Sequence, residues 1–127
     1  MKNSMESNIE SLLKLEPYSL SKSEKDEIFY DAMNESVKFH YEKSEEFRKI
    51  CDNRNFSPDK EFLIQEIPFL PVSLFKTFQL KSVPDSDIIK TVYSSATTSN
   101  SPSTIFLDQT TSKRQTKVLV SIMKDFL

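Results

Sequence analysis

The chain has 127 residues and a formal net charge of −2, enough length for one modest domain and no basic excess of the kind that marks a nucleic-acid surface. No apolar run is long enough to cross a membrane, and the opening MKNSMESNIESLL lacks the apolar core of a secretion signal, so a cytoplasmic location is expected. The single cysteine, Cys51, excludes an internal disulfide and suits a reducing compartment, and one cysteine with one histidine, His40, cannot assemble a usual zinc ligand set.

The first twenty residues predict one short helix, from about Met5 to Leu15, closed by Glu16 and Pro17. Ser21 followed by Glu24 reads as a capping box, opening a helix that runs to about Tyr41. Its buried face is expected to carry Ile28, Phe29, Ala32, Met33, Ser36, Val37, Phe39 and His40, which recur at helical spacing. Ser44, Glu45 and Glu46 start another short helix, Phe47 to about Asp52. Residues 52–55 read as a turn, and Ser57, Pro58 and Asp59 open a further segment. Pro68 and Pro71 bar a regular helix between them. Val72 to Leu80 suits either a short helix or a strand, and residues 82–87 form a polar loop.

A β-like run follows, Ile88 to Tyr93, and a second, Thr104 to Leu107. Between them lies the densest cluster of hydroxyls in the chain: Ser94, Ser95, Thr97, Thr98, Ser99, Ser101, Ser103 and Thr104. A hydroxyl-rich turn between two strands can aim N–H and O–H groups into one concavity, which suits phosphate oxygens. The final helix starts either at Ser112, with Gln115 completing its cap, or one turn earlier with Asp108 as the cap. Along it Val118, Leu119, Ile122, Met123, Phe126 and Leu127 form an apolar stripe. The stripe carries no terminating signal, so more protein, or a partner, is expected to cover this face.

The stretch Ser95 to Pro102, reading SATTSNSP, resembles the phosphate-binding loop of adenylate-forming enzymes, whose core reads S-S/G-G-T-T-G-x-P. The segment PFLPVSLFK (Pro68–Lys76), the lead-in Ile89-Lys90-Thr91, and the exit Leu107-Asp108 with Thr111 and Gln115 point more narrowly. Together they resemble the LuxE-type acyl-protein synthetases of bacterial luminescence systems, relatives of the phenylacetate–CoA ligases. The resemblance covers nearly the whole chain and corresponds to roughly the N-terminal third of such proteins. Residues 1–66 would be mainly helical, and residues 67–127 would hold the motif-bearing β-loop-β-α part. The fold class it implies is α/β: N-terminal helices followed by part of a β-sheet with at least one unpaired edge, an incomplete adenylate-forming N-terminal domain.

What the resemblance implies about function is ATP-dependent activation of a carboxylic (fatty) acid as an acyl-adenylate, for transfer to a protein thiol. ATP and Mg²⁺ would be held at Ser94, Ser95, Ala96, Thr97, Thr98, Ser99 and Asn100, with the Thr97 and Thr98 hydroxyls donating to the β- and γ-phosphates. Two departures stand out. The glycines of the pattern are replaced by Ala96 and Ser99, and the whole chain lacks glycine. Ala96 adds a methyl where phosphate should approach, and an αL backbone there would cost roughly 1–2 kcal/mol. The lysine that follows the proline in many relatives is Ser103 here.

Other residues have two readings each. Lys76 and Lys90 are phosphate or carboxylate partners, or plain exposed lysines. Phe69, Leu70, Val72, Leu74 and Phe75 border an acyl chain, or pack as core. His40 lies among Phe29, Met33 and Val37 as a packed or surface histidine. In the resembling family the acyl-carrying cysteine lies near the far C-terminus, so Cys51 is read as a small buried hydrophobe rather than a nucleophile. No catalytic residue is assigned within this stretch, which alone is expected to be inactive. The alternative is a non-catalytic remnant or split subunit acting as an interaction module, its partner a complementing C-terminal portion or an acyl-acceptor protein.

Overall fold

The computed structural model describes residues 7–16, 18–94 and 102–126. Helix α1 spans Asn8–Leu13, inside the expected 5–15. The Ser7 hydroxyl accepts from the Ile9 N–H at 3.2 Å, and the Asn8 N–H donates to the Glu35 carboxylate at 2.6 Å. Helix α2 spans Lys22–Lys43. Ser21 caps it through the Glu24 N–H, and its own hydroxyl donates to the Glu24 carboxylate at 3.0 Å. Ser44 ends α2 and caps α3, Glu45–Asn53, by accepting from the Phe47 N–H. Asp52 and Asn53 stay helical, so the expected turn is confined to Arg54 and Asn55. Asn55 turns the chain at φ 54°, a left-handed conformation that asparagine tolerates better than most residues.

The core is small and sits where α2 and α3 meet the segment after them. Val37, Cys51, Phe56 and Phe62 are its buried members, with Tyr41, Phe47 and Ile67 packed against them. The Phe56 and Phe62 rings meet edge to face at 5.0 Å, a favoured aromatic geometry. Tyr30 adds its ring to Phe62 and donates its hydroxyl to the Phe62 carbonyl at 2.8 Å. This bond fixes the irregular 57–63 segment along α2.

The helical stripe of α2 is narrower than its spacing suggests. Ala32 and Val37 are buried, whereas Phe29, Phe39 and His40 are exposed. Phe39 lies at the border of the stripe, where it packs its ring against His40 instead. Phe29 faces α1 and the residues Val118, Ser121 and Ile122 across an open cleft of about 580 Å³, so proximity there does not amount to burial.

Between Pro68 and Pro71 the chain is irregular, and Leu74–Thr77 forms the single helical turn α4, settling the helix-or-strand alternative. Phe69 and Val72 are each 72% exposed, which overturns their reading as core. A 3-10 turn at Asp85–Asp87 leads into β1, Ile88–Tyr93, which pairs antiparallel with β2, Thr104–Asp108. The register runs from Tyr93 opposite Thr104 to Lys90 opposite Leu107, with a bulge between Ile88 and Lys90. Leu107 is buried. Among the described residues the sheet is this hairpin alone, so each strand leaves its outer edge without a strand partner. The chain is thus a mixed helical protein with a small antiparallel sheet, as expected in kind. Helix α5, Gln109–Lys124, begins directly after β2 with Asp108 as its cap, so the earlier of the two expected starts is the observed one.

Candidate functional site

The hydroxyl-rich loop grows from the hairpin's end, and the hairpin positions its two ends. The Ser94 N–H donates to the Ser103 carbonyl at 2.9 Å, and the Ser103 N–H donates to the Ser94 hydroxyl at 2.8 Å. Ser103 is buried, and this partly buried reciprocal pair holds the ends of the loop side by side. Ser94 is exposed at that base. Its hydroxyl oxygen accepts the Ser103 N–H and keeps its own proton to donate. The other residues assigned to phosphate, Ser95, Ala96, Thr97, Thr98, Ser99 and Asn100, lie outside the described residues.

The two lysines separate. Lys90 is exposed on β1, opposite Leu107. Lys76 is exposed on α4 and engages in interactions there. Among the described residues, no group of three or more His, Cys, Asp or Glu side chains is placed to hold a metal ion.

The PFLPVSLFK segment divides between two pockets. Leu70 and Phe75 join Met33, Val37, Phe47 and Ile67 around a pocket of about 310 Å³, with His40, Lys81 and Ser82 also on its lining. Phe69 and Leu74 line a second concavity, of about 490 Å³, with Arg54. The Arg54 guanidinium sits 4.9 Å over the Phe69 ring, a cation–π contact that accounts for an aromatic left in solvent.

Two contacts tie the run before β1 to the rest of the fold, and a third braces the run internally. His40 Nδ1 and the Ser82 hydroxyl are 2.6 Å apart. Lys81 pairs with Asp85. The Lys81 ammonium also stands 5.5 Å over the Phe106 ring on β2. Partial burial lowers the pKa of His40 from its ordinary value, disfavouring the charged imidazolium, although part of the residue stays open to solvent. The sequence gives no signal for the His40–Ser82 meeting, because the two residues are 42 positions apart and belong to no shared motif.

Cys51 is fully buried, and burial pushes its thiol up to about 11, with Asp52 adding to the effect. A thiol of that pKa is not a nucleophile at neutral pH, in keeping with its reading as a buried hydrophobe. Among the described residues no helix is long and apolar enough to cross a membrane.

The profile of the LuxE acyl-protein synthetases matches residues 2–127. Over 81 residues the chain is 38% identical to the long-chain-fatty-acid–luciferin-component ligase of Aliivibrio fischeri, a stretch covering 64% of this chain and 21% of that relative. The match thus spans about a fifth of the curated relative's length. No solved structure matches the chain.

Proposed function

This chain belongs to the LuxE family of acyl-protein synthetases, and from that premise we propose that it forms the nucleotide-cradling part of an ATP-dependent, adenylate-forming ligase. The substrate is a long-chain fatty acid, and the acyl group is destined for a protein thiol. The substrate class is supported by the relative in Aliivibrio fischeri, whose name describes a ligase of long-chain fatty acid and a luciferin component. In the reaction a carboxylate oxygen attacks the α-phosphorus of ATP, and the bond to the pyrophosphate leaving group breaks.

The loop's part in that step is electrostatic. The Thr97 and Thr98 hydroxyls donate to the β- and γ-phosphates, while Ser95, Ser99 and the N–H groups of 96–100 line the rest, opposing charge that builds on the leaving group. Mg²⁺ bound to the nucleotide would supply further charge neutralisation of the leaving group. The observation that carries this reading is the Ser94–Ser103 pair. It closes the hairpin at the point where the hydroxyl-rich segment begins and ends, as a loop that must curl around an anion requires.

Calorimetry of ATP·Mg²⁺ into the full chain tests it. Saturable heat that disappears in the double variant Thr97→Ala, Thr98→Ala is the expected result. Absence of heat at millimolar ATP with the unaltered chain sinks the reading.

One observation favours a second reading. Helix α5 leaves Leu119, Val120 and Met123 exposed, and Phe126 is exposed just beyond its end, as an interaction module would. On that reading the partner is a complementing C-terminal portion of a synthetase or an acyl-acceptor protein. A chain that takes up no nucleotide yet elutes as a defined complex with such a partner would select it.

A further inference from the structure

The pocket between α2 and the 67–82 segment is not accounted for by nucleotide binding, and its chemistry is specific. It measures about 310 Å³, far larger than the voids that separate well-packed side chains. It falls at the lower end of the range typical of small-molecule sites. Its walls are mostly apolar, formed chiefly by Met33, Val37, Phe47, Ile67, Leu70 and Phe75, with Ser36 and Ser44 also on the lining. At one side the His40 imidazole and the Ser82 hydroxyl meet at 2.6 Å, and both belong to the lining.

We propose that this pocket binds a small neutral amphiphile, a medium-chain primary alcohol, with its chain among the apolar walls and its hydroxyl on the His40–Ser82 pair. The pair suits a head group that both donates and accepts. If Ser82 donates to Nδ1, the Ser82 oxygen is left to accept and Nε2–H to donate. In the other tautomer the Ser82 proton is left to donate and Nε2 to accept. An alcohol hydroxyl matches either case, whereas a carboxylate can only accept.

Charge argues the same way. The one lysine on the lining, Lys81, is already paired with Asp85 and lies over the Phe106 ring. A carboxylate head would therefore have to compete with Asp85 for the nearest cation, or pair with an imidazolium that partial burial disfavours. Size sets the chain length. At roughly 30 Å³ per heavy atom, the share a water molecule takes in the liquid, the pocket holds on the order of ten heavy atoms. That is close to n-octanol.

The lining residues named here all precede the hydroxyl-rich segment in sequence, so octanol and ATP are tested independently. The test is a titration of the isotope-labelled full chain with n-octanol and, in parallel, with octanoate, followed by NMR at the methyls of Val37, Ile67 and Leu70. Saturable shifts confined to these methyls, with octanol favoured over octanoate by about tenfold, are expected from the loss of one well-matched polar contact. Ser82→Ala should weaken octanol binding by a similar factor. Leu70→Trp should fill the pocket and abolish binding, while leaving the Phe56 and Phe62 signals in place as proof of folding. Octanoate binding as tightly as octanol overturns the head-group assignment. Shifts that appear instead along Leu12, Phe29 and Ile122 move the ligand to the other cleft and overturn the site. Absence of saturable shifts overturns the proposal altogether.

Discussion

The Arg114 Nε donates to Glu10 Oε1 at 2.6 Å, joining α5 to α1 across 104 positions of sequence. Both side chains are about two-thirds shielded, so the contact lies between the helices rather than on open surface. Helix α1 has no buried residue of its own. Its attachment to the fold therefore leans on this contact, on the Asn8 bond to Glu35 and on partly buried leucines such as Leu12 and Leu13.

Arg114→Met should release α1 without unfolding the Val37–Cys51–Phe56–Phe62 core. The Arg114 hydrogen bond is the main influence that holds the Glu10 carboxyl below its ordinary value of 4.5. Because the folded value is the lower one, the unfolded chain binds more protons in acid. The stabilisation is then complete above pH 4.5 and is lost as pH falls below it. Hydrogen-exchange protection of the α1 amides is the measurement. It should fall on acidification in the unaltered chain and depend less on pH in Arg114→Met. Equal acid dependence in the two would refute the assignment.

Asp108 accepts from the Thr111 N–H at 2.8 Å and caps α5 immediately after β2. Its carboxyl is held below the ordinary 3.8, chiefly by hydrogen bonds from Thr111. Stability from the cap is thus present above that value and lost below it. Asp108→Ala should lower unfolding free energy by about 1 kcal/mol, read as a shift in urea midpoint at neutral pH. Asp108→Asn should retain most of the cap. A loss of the same size in both variants would point away from capping.

Cys51 should resist thiol reagents in the native chain and react once urea unfolds it, because its thiol is both buried and raised to about 11. Cys51→Ser places a hydroxyl between Val37, Phe56 and Phe62 and should cost roughly 1–3 kcal/mol. Cys51→Ala leaves only a small void and should cost less than Cys51→Ser. Prompt labelling at native pH would show that the core opens locally around α3.

The local elements were largely legible. Ser21 and Ser44 announce their helices because an N-cap is a short-range bargain between one hydroxyl and an N–H three residues on. The strands Ile88–Tyr93 and Thr104–Asp108 follow from their β-branched and aromatic content. The family was legible too, through the motif segments Pro68–Lys76 and Ser95–Pro102. The choice between Ser112 and Asp108 as cap was not, since both satisfy the same local rule. Asp108 prevails because β2 ends there and leaves its carboxylate beside the Thr111 N–H.

Chain order alone thus dictated where most of the helices and strands begin, since capping, alternation and proline restriction act within a few bonds. It could not dictate which faces stay wet. Phe29, Phe39, Phe69 and Val72 carry the spacing or composition of core yet lie exposed, because burial depends on what packs opposite, a property of elements far apart in sequence. The His40–Ser82 and Glu10–Arg114 contacts have the same origin. Each joins side chains that become neighbours only after the helices and the segments between them have packed.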